Sequence, residues 1–205
     1  MTPRVYVVRT GLANLASVLA GFRRAGAEPI VTQSPEDIAG ATHVVLPGVG
    51  AFGAAMENLE RHGLLPVLRE RLELNRPTMA VCLGLQLLFE TSAETPGVRG
   101  LGFVPGGARQ LPSSVRVPQL GWNQIGTESG CRFLRGGYAY FANSFCIDTP
   151  PPGWKCGTVE HGIRLVACME RGNLLACQFH PELSGTYGLE LLKRWLETKE
   201  ENSQC

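Results

Sequence analysis

The sequence predicts an α/β protein with one domain over residues 1–200, built on a doubly wound, mostly parallel central sheet with a β-rich C-terminal half. Three observations support this prediction. Short apolar segments alternate with amphipathic helical patterns in the first half, which is typical of crossover connections between parallel strands. Strand-like segments separated by Gly and Pro dominate the second half. The chain has 205 residues, 44% of them hydrophobic, which is enough for one full core.

The first half is predicted to contribute four parallel strands with helices on both faces of the sheet. The predicted strands are 4–8, 29–32, 44–46 and a segment introduced by Pro77. The predicted helices are 14–25, one that begins at Ser34-Pro35, and 52–75 with an interruption near Gly63. Functional loops in such sheets follow the carboxyl ends of strands, so the loops of interest are 11–14, 48–52 and 82–86.

The second half is predicted to be partly antiparallel. Its predicted strands are 103–111, 115–125, 138–147, 156–160, 165–170 and 174–179. A polar loop over 91–100 precedes them, and Arg171-Gly172-Asn173 is predicted to be a hairpin turn in which Gly and Asn tolerate positive φ. A helix over 187–199 closes the domain, and the polar residues 201–205 are expected to form a frayed tail.

Cys82 is predicted to stand at a sharp turn between a strand and a helix. The apolar run Thr78–Val81 ends on it, and a helical pattern that includes Phe89 begins at once. Such an elbow sets the thiol beside the free N–H groups of the helix start, whose partial positive charge favours the thiolate. The small residues Ala80 and Gly84 fit the steric need of the turn, so the position suits a nucleophile. The alternative is a buried structural cysteine.

His180 is the candidate base for that nucleophile. It ends the apolar run Leu174–Phe179, Pro181 stops the strand, and Glu182 lies two residues further on. A carboxylate at that distance can orient the ring and stabilise imidazolium, and a base held by a third group is what activates a thiol. A histidine at a strand end is also an ordinary structural residue, but the combination with Cys82 favours a catalytic triad.

Four segments carry a resemblance to a known family. They are Cys82-Leu83-Gly84-Leu85-Gln86, Phe179-His180-Pro181-Glu182, Pro47-Gly48-Val49-Gly50-Ala51-Phe52 and Pro118-Gln119-Leu120-Gly121-Trp122-Asn123. The first two resemble the triad-type (class I) glutamine amidotransferases, and the last two resemble the glutaminase subunits of imidazole glycerol phosphate synthase. Relatives that serve other syntheses usually carry a different glycine-rich loop in place of the third segment. The resemblance covers residues 4 to 197 and implies a flavodoxin-like sheet and membership of this enzyme family.

The resemblance implies hydrolysis of the glutamine side-chain amide through a cysteinyl thioester, in histidine biosynthesis. Cys82 is the expected nucleophile, and His180 and Glu182 complete the triad. The expected oxyanion hole uses backbone N–H groups of Leu83 and Val49. Glycines on either side of Val49 would let this loop turn, although the same glycines also fit a simple tight turn.

The resemblance also implies which residues surround the glutamine. Gly50, Gln86, Ser144 and Phe145 are expected to contact its amino-acid moiety. Gln86 lies one helical turn past the nucleophile and can point back toward it, but an ordinary solvated helix residue is the alternative. For Ser144 the alternative is a strand residue that faces water.

A partner subunit is implied because free ammonia is mostly protonated at neutral pH and would be lost in water. The resemblance implies a heterodimer with a (β/α)₈-barrel cyclase that receives ammonia through a channel. Asn14, Trp122 and Asn123 are expected at that interface, and a core aromatic is the alternative for Trp122.

The chain departs from the family in three places. The usual Asp-Tyr-Gly-x-Gly-Asn loop reads Arg9-Thr10-Gly11-Leu12-Ala13-Asn14, which reverses a charge and loses a glycine. Leu183 replaces the usual Lys after His-Pro-Glu, and Gln119 replaces a usual His. The triad residues are intact, so we expect the chemistry to persist and docking or regulation to differ.

Composition excludes several other classes. The net charge of +1 without a basic run argues against nucleic acid as the partner. No apolar run reaches the ~20 residues that cross a bilayer, so no membrane partner is expected. Seven cysteines without paired spacing predict neither metal nor cofactor, and an N-terminus without a signal pattern favours a reducing cytoplasm.

Three other functions stay open at this point. The chain could be the glutaminase subunit of another amidotransferase. A cysteine hydrolase or stress-type protein of the same architecture is a second alternative, although such proteins normally place His directly after the Cys, where this chain has Leu83. A catalytically inactive module kept for partner binding is the third, and the intact triad residues weigh against it.

Overall fold

The structure is a computed structural model that describes residues 2–11, 15–48 and 50–198. Within these ranges the strands are β1 (Arg4–Val8), β2 (Glu28–Thr32), β3 (His43–Leu46), β4 (Thr78–Val81), β5 (Phe89–Ser92), β6 (Val104–Gln110), β7 (Gln119–Thr127), β8 (Gly137–Asn143), β9 (Phe145–Cys146), β10 (Lys155–Glu160), β11 (Arg164–Arg171) and β12 (Leu174–Cys177). The helices are α1 (Ala16–Arg24), α2 (Pro35–Gly40), α3 (Phe52–Arg61), α4 (Leu64–Glu73), α5 (Leu83–Leu87) and α6 (Gly185–Leu196). A short 3-10 turn covers Pro181–Leu183.

A nine-stranded sheet organises the molecule, in the order β2-β1-β3-β4-β12-β11-β10-β7-β8. The first five strands in that order are parallel, and the remaining neighbours pair antiparallel. A separate small sheet has the order β5-β6-β9. The predicted fold class, a doubly wound sheet with a β-rich second half, is confirmed.

Both faces of the central parallel strands are buried. All four residues of β3 and of β4 are inaccessible, as expected for central strands covered on each side. Side chains alternate between two cores: Val44 and Leu46 join one cluster with Phe52, whereas Val45 joins another with Phe22. Helices on both faces are therefore required to exclude water from this part of the sheet.

Two helix boundaries follow the predicted local signals. Ser34 precedes α2 and its Oγ accepts a hydrogen bond from the Asp37 N–H at 3.0 Å, which is an N-cap. Gly63 separates α3 from α4 with φ of 66°, a conformation that glycine adopts without a steric penalty.

The segment after Cys82 differs from its prediction. The helix α5 ends at Leu87, and Phe89, predicted to be helical, begins β5, where it pairs with Val104. Thr91 and Ser92, predicted to lie in a loop, belong to the same strand. A short apolar run cannot distinguish helix from strand by periodicity, and pairing with β6 decided the outcome.

The predicted strand 138–147 is interrupted at Ser144. The residues before it form β8 in the large sheet, and Phe145–Cys146 form β9, which pairs with β6 in the small sheet. The predicted strand 115–125 begins only at Gln119, directly after the cis Val117–Pro118 bond. In the hairpin between β11 and β12, Gly172 alone of the two turn residues has positive φ (59°), so the expectation for Asn173 was wrong.

The helix α6 ends at Leu196, three residues before the predicted end, and the predicted tail 201–205 lies outside the described residues. None of the helices in the described part of the chain is long and apolar enough to cross a membrane.

Candidate active site

Cys82 occupies a strained turn between β4 and α5. Its φ of 54° and ψ of −110° lie in a backbone region that residues other than glycine rarely adopt. Hydrogen bonds fix this conformation: the Cys82 N–H donates to the Cys177 carbonyl at 2.6 Å, and the Leu85 N–H donates to the Cys82 carbonyl at 3.1 Å. The residue is 8% exposed and belongs to a buried cluster, but it also lines a cavity, so it lies where the core meets that cavity.

The loop after β3 lies directly on the first turn of α5. A Cβ added to Gly84 would lie 2.0 Å from the Leu46 carbonyl oxygen, and one added to Gly48 would lie 2.3 Å from the Leu83 Cβ. Gly48 is therefore needed for close approach, and Gly50, with φ of 109°, for its backbone conformation. The expected oxyanion donor Val49 lies outside the described residues.

His180 is held at the end of β12 by backbone and hydroxyl contacts. Its N–H donates to the Tyr140 carbonyl at 2.9 Å. The Ser184 Oγ donates to the His180 carbonyl at 2.6 Å and accepts from the Tyr140 N–H at 3.0 Å. The ring Nδ1 lies 2.9 Å from Glu182 Oε1, and both side chains are 7% exposed. The imidazole consequently has little freedom to turn.

Burial alone would lower the pKa of His180, but hydrogen bonds to Cys82 and Glu182 outweigh burial and raise the pKa of His180 to about 10. The Cys82 sulfur and the Glu182 carboxylate thus both favour the protonated imidazole, whose Nδ1 lies 2.9 Å from Glu182 Oε1. A histidine held by a carboxylate in the same cavity as a cysteine is an arrangement that can activate the thiol as a nucleophile.

Helix α1 supports the carboxylate from behind. A Cβ at Gly21 would lie 2.8 Å from the Glu182 Cβ, so only glycine lets the helix approach this closely. Arg24 Nη2, from the same helix, donates to the Glu182 carbonyl at 2.9 Å. The helix of the first crossover therefore braces Glu182.

A cavity of about 320 Å³ joins these groups. Its lining residues are Gly48, Gly50, Cys82, Leu83, Gln86, Glu94, Ala142, Asn143, Ser144, Phe145 and His180. Gln86 is 4% exposed and donates to the Phe145 carbonyl at 3.1 Å, so the alternative of a solvated helix residue is wrong. Ser144 lies at the break between β8 and β9, where the chain bends into the cavity wall, and not within a strand.

Two residues of the site were missed by the sequence reasoning. Gln178 Nε2 lies 3.7 Å from the Cys82 Sγ, and Gln178 Oε1 accepts from Gln86 Nε2 at 3.1 Å. A polar residue inside the apolar run 174–179 was the available signal. Glu94 lines the cavity and accepts a hydrogen bond from the Phe52 N–H at 2.7 Å, but nothing in its polar loop distinguished it from its neighbours.

The two expected interface residues that the structure describes, Trp122 and Asn123, lie on β7 and are not fully buried. Trp122 on β7 is 55% exposed and packs edge-on against Tyr140, with ring centroids 6.1 Å apart, so the alternative of a core aromatic is wrong. Asn123 accepts from Gln119 Nε2 at 3.2 Å. Asn14 lies outside the described residues. We call the exposed apolar side chains near this edge the β7–β8 face: Leu120, Trp122, Tyr138 and Leu183.

Comparison with known proteins gives consistent matches over nearly the full chain. The family model "Glutamine amidotransferase class-I" matches residues 9–198. The imidazole glycerol phosphate synthase subunit HisH of Moorella thermoacetica is 42% identical over 94% of both chains. The HisH subunit of Bacillus cereus (strain G9842) is 38% identical over 93% of both chains. That of Methanothermobacter thermautotrophicus is also 38% identical, over 94% of this chain and 98% of the relative.

Solved structures show the same fold at lower sequence identity. A structure described as a glutamine amidotransferase superposes with a TM-score of 0.77 at 20% identity, over 94% of this chain and 97% of the other. A chain of PurLQS from Thermotoga maritima superposes with a TM-score of 0.72 at 17% identity, over 96% and 98%.

Proposed function

Because the chain belongs to the class I glutamine amidotransferases, we propose that it is the glutaminase subunit of an imidazole glycerol phosphate synthase, acting in histidine biosynthesis. One observation carries the assignment of the chemistry. Cys82, on its strained turn, and His180 line the same cavity, and Glu182 Oε1 lies 2.9 Å from the Nδ1 of that imidazole. The near full-length HisH relatives support the choice of synthase.

The reaction uses Cys82 and His180 in two stages. The sulfur attacks the carboxamide carbon of glutamine, and the imidazolium gives its proton to the nitrogen as the C–N bond breaks. Ammonia leaves, and a glutamyl thioester remains on Cys82. A water molecule then attacks the thioester while His180 takes its proton, the C–S bond breaks, and glutamate departs. Glu182 stabilises the imidazolium and keeps Nε2 directed at the sulfur.

The developing oxyanion needs N–H donors beside the nucleophile. The backbone N–H of Leu83 follows Cys82 directly, as in other nucleophile elbows. Val49 is the proposed second donor, and the close contact of Gly48 with Leu83 brings its loop to this position. Gly50, with its positive φ, provides the freedom for the intervening peptide to turn.

The cavity suits the amino-acid end of glutamine. Gln86, Ser144, Phe145 and Gly50 supply amide, hydroxyl and backbone groups at its wall. Glu94 adds a carboxylate, the natural partner of the substrate ammonium group. No step in this scheme uses a cofactor or a metal ion.

The proposed partner is a (β/α)₈-barrel cyclase that forms a heterodimer in the cytoplasm and receives the ammonia. The β7–β8 face is the proposed docking surface, because exposed aromatic and aliphatic side chains near an active site are typical of an interface. Leu183 gives this surface an apolar side chain where relatives carry a cation, so docking at this position depends on packing and not on an ion pair.

The deciding experiment is a glutaminase assay on the purified chain, with and without a barrel cyclase and the cyclase's ligand. We expect turnover that rises in the complex and disappears in both Cys82→Ala and Cys82→Ser. Cys131→Ser is the matched control, because Cys131 is partly exposed in a loop and should leave turnover unchanged. Unchanged turnover in the Cys82 variants would reject the triad assignment.

The same assay separates the alternatives. A glutaminase of another amidotransferase would be activated by a different acceptor subunit and not by this cyclase. An inactive binding module would associate with the cyclase, measured by calorimetry, without hydrolysing glutamine. A cysteine hydrolase of another type would leave glutamine untouched both alone and in the mixture.

A further inference from the structure

Gln178 connects the nucleophile to the amide that faces the substrate. It is 2% exposed, and its backbone N–H donates to the Ala167 carbonyl at 2.8 Å, which fixes its position at the end of β12. Its side-chain Nε2 lies 3.7 Å from the Cys82 Sγ, and its Oε1 accepts from Gln86 Nε2 at 3.1 Å. The side chain therefore spans the space between Cys82 and Gln86 from behind the cavity wall.

The chemistry of the sulfur fixes the direction of the hydrogen bonds that link Cys82 to Gln178 and Gln178 to Gln86. A thiolate can only accept, so Gln178 must turn its NH₂ group toward Cys82 and its carbonyl oxygen toward Gln86. Gln86 must then present its own NH₂ group, whose two hydrogens go to Gln178 Oε1 and to the Phe145 carbonyl, each at 3.1 Å. The oxygen of Gln86 is thereby left for the substrate, as an acceptor suited to an ammonium group.

We propose that Gln178 is a positioning residue of the glutaminase site: it donates a hydrogen bond to the Cys82 thiolate and, through its carbonyl, holds Gln86 with its oxygen toward the glutamine. The proposal rests on the proposed function. It assigns one buried amide a double effect, on the reactivity of the sulfur and on the affinity for substrate. If Gln178 only filled space, its replacement would change the reactivity of Cys82 and the affinity for glutamine only by disturbing the fold.

The first test measures the nucleophile without any turnover. The rate of Cys82 alkylation by iodoacetamide is followed across pH by mass spectrometry of the Cys82 peptide, which separates it from the other six cysteines. Gln178→Glu keeps the side-chain shape but replaces the donor with an anionic oxygen, and Gln178→Leu removes the donor. We expect alkylation at pH 7 to slow about tenfold in either variant, with the pH profile moved to higher pH, because a charge-assisted hydrogen bond is lost.

Gln110→Glu is the matched control for this measurement. Gln110 is an exposed glutamine on β6, so the same chemical change there should leave the alkylation profile of Cys82 unaltered. Cooperative thermal unfolding shows that each variant is folded. Should Gln178→Leu fail to fold, the isosteric Gln178→Glu decides on its own profile. A folded Gln178 variant that alkylates Cys82 with the parent pH profile would overturn the proposed bond to sulfur.

The second test asks whether Gln178 acts through Gln86. In the complex with the cyclase, we expect Gln178→Leu to raise the KM for glutamine about tenfold, as for loss of one well-placed hydrogen bond to a charged group. The double variant Gln178→Leu/Gln86→Leu should raise KM by clearly less than the product of the two single effects. Both substitutions remove the same contribution to glutamine binding, the one that Gln178 makes by positioning Gln86. Fully multiplicative effects would refute the relay. Absence of turnover in the parent complex would refute the proposed function instead, and the alkylation result would still stand.

Discussion

The two halves of the large sheet are built for different tasks. In the parallel half, β3 and β4 are buried on both faces, and the residues that follow them, Gly48 and Cys82, line the cavity. In the antiparallel half, β7 alternates buried and exposed residues and presents Trp122 to the surface. The strand β12 belongs to both halves, since it pairs parallel with β4 and antiparallel with β11.

This difference explains where the site lies. A reactive thiol in a strained turn needs surroundings that cannot relax, which the doubly covered parallel strands provide. A docking face needs one open side, which an antiparallel sheet tolerates. His180 and Gln178 follow β12, so the base and the positioning amide come from the strand at which the two halves meet.

The largest expected effect comes from a change in the proposed triad, at Glu182 in the segment that follows β12. Glu182→Gln removes the charge behind the imidazole, and we expect glutaminase activity of the complex to fall at least about a hundredfold, as when general acid–base catalysis is impaired. Glu190→Gln on α6 is the control, because that carboxylate pairs only at the surface with Lys193 at 3.1 Å. Equal activities of the two variants would contradict the role of Glu182.

The same variant tests the electrostatics of His180. Its pKa of about 10 in the folded chain lies above the unfolded value, so its protonation stabilises the fold fully below pH ~6.5, and this contribution is lost as pH rises through about 10. We expect the difference in Tm between the parent and Glu182→Gln to shrink from pH 6 to pH 10. NMR titration of the four histidines, assigned with His180→Gln, should show a lowered pKa of His180 in Glu182→Gln.

The next largest effect concerns backbone packing within the parallel half, compared with packing within the antiparallel half. Gly84→Ala puts a Cβ 2.0 Å from the Leu46 carbonyl oxygen, which is backbone and cannot move aside. We expect the free energy of unfolding to fall by about 2 kcal/mol, the usual range for overpacking. Gly126→Ala, in β7 of the antiparallel half, meets nothing within 4 Å and should be close to neutral. Denaturant unfolding of both variants makes the comparison, and equal losses would contradict it.

A smaller effect is expected for the open face. Trp122→Ala should weaken cyclase binding about tenfold without lowering Tm, because the side chain is 55% exposed and exposed aromatics are frequent interface anchors. Leu74→Ala is the control: Leu74 is 63% exposed after α4, and its neighbour Asn75 accepts a hydrogen bond from the Asn173 N–H at the end of β4 and β12 opposite Cys82. Titration calorimetry with the cyclase measures both. Similar affinities for the two variants would exclude Trp122 from the interface.

The smallest effect should be the same in both halves. Arg4–Glu28, beside the parallel strands, and Arg164–Glu160, in the antiparallel hairpin, are exposed ion pairs at 3.4 and 2.8 Å. Arg4→Ala and Arg164→Ala should each change the free energy of unfolding by less than about 1 kcal/mol. A larger loss in urea unfolding for one of them would show that the halves also differ at their surfaces.

The elements that follow strong local signals were predictable from the sequence. β1 was predicted with its observed bounds, and Ser34 and Gly63 marked helix boundaries because capping and positive φ are properties of a few consecutive residues. The elbow at Cys82 was predictable for a similar reason, since an apolar strand stops there abruptly.

Elements defined by distant partners were not predictable in this way. Phe89 became a strand residue because Val104 pairs with it, and the break at Ser144 arises because the chain passes from one sheet to another. The roles of Gln178 and Glu94 depend on which atoms face them, and a sequence pattern specifies burial better than direction. The sequence thus predicted Cys82 and His180, whereas Gln178 and Glu94 were found only from the packing of the folded chain.

The backbone angles of Cys82 have a consequence for the tolerance of this protein to change. Glycine alone would rest comfortably at φ of 54° and ψ of −110°, so Cys82→Gly should melt at a higher temperature than Cys82→Ala although both lack the sulfur. The proposed nucleophile is then also a residue whose replacement by glycine relieves backbone strain. Selection of variants for heat resistance alone would accordingly be expected to erode the enzyme at its centre first.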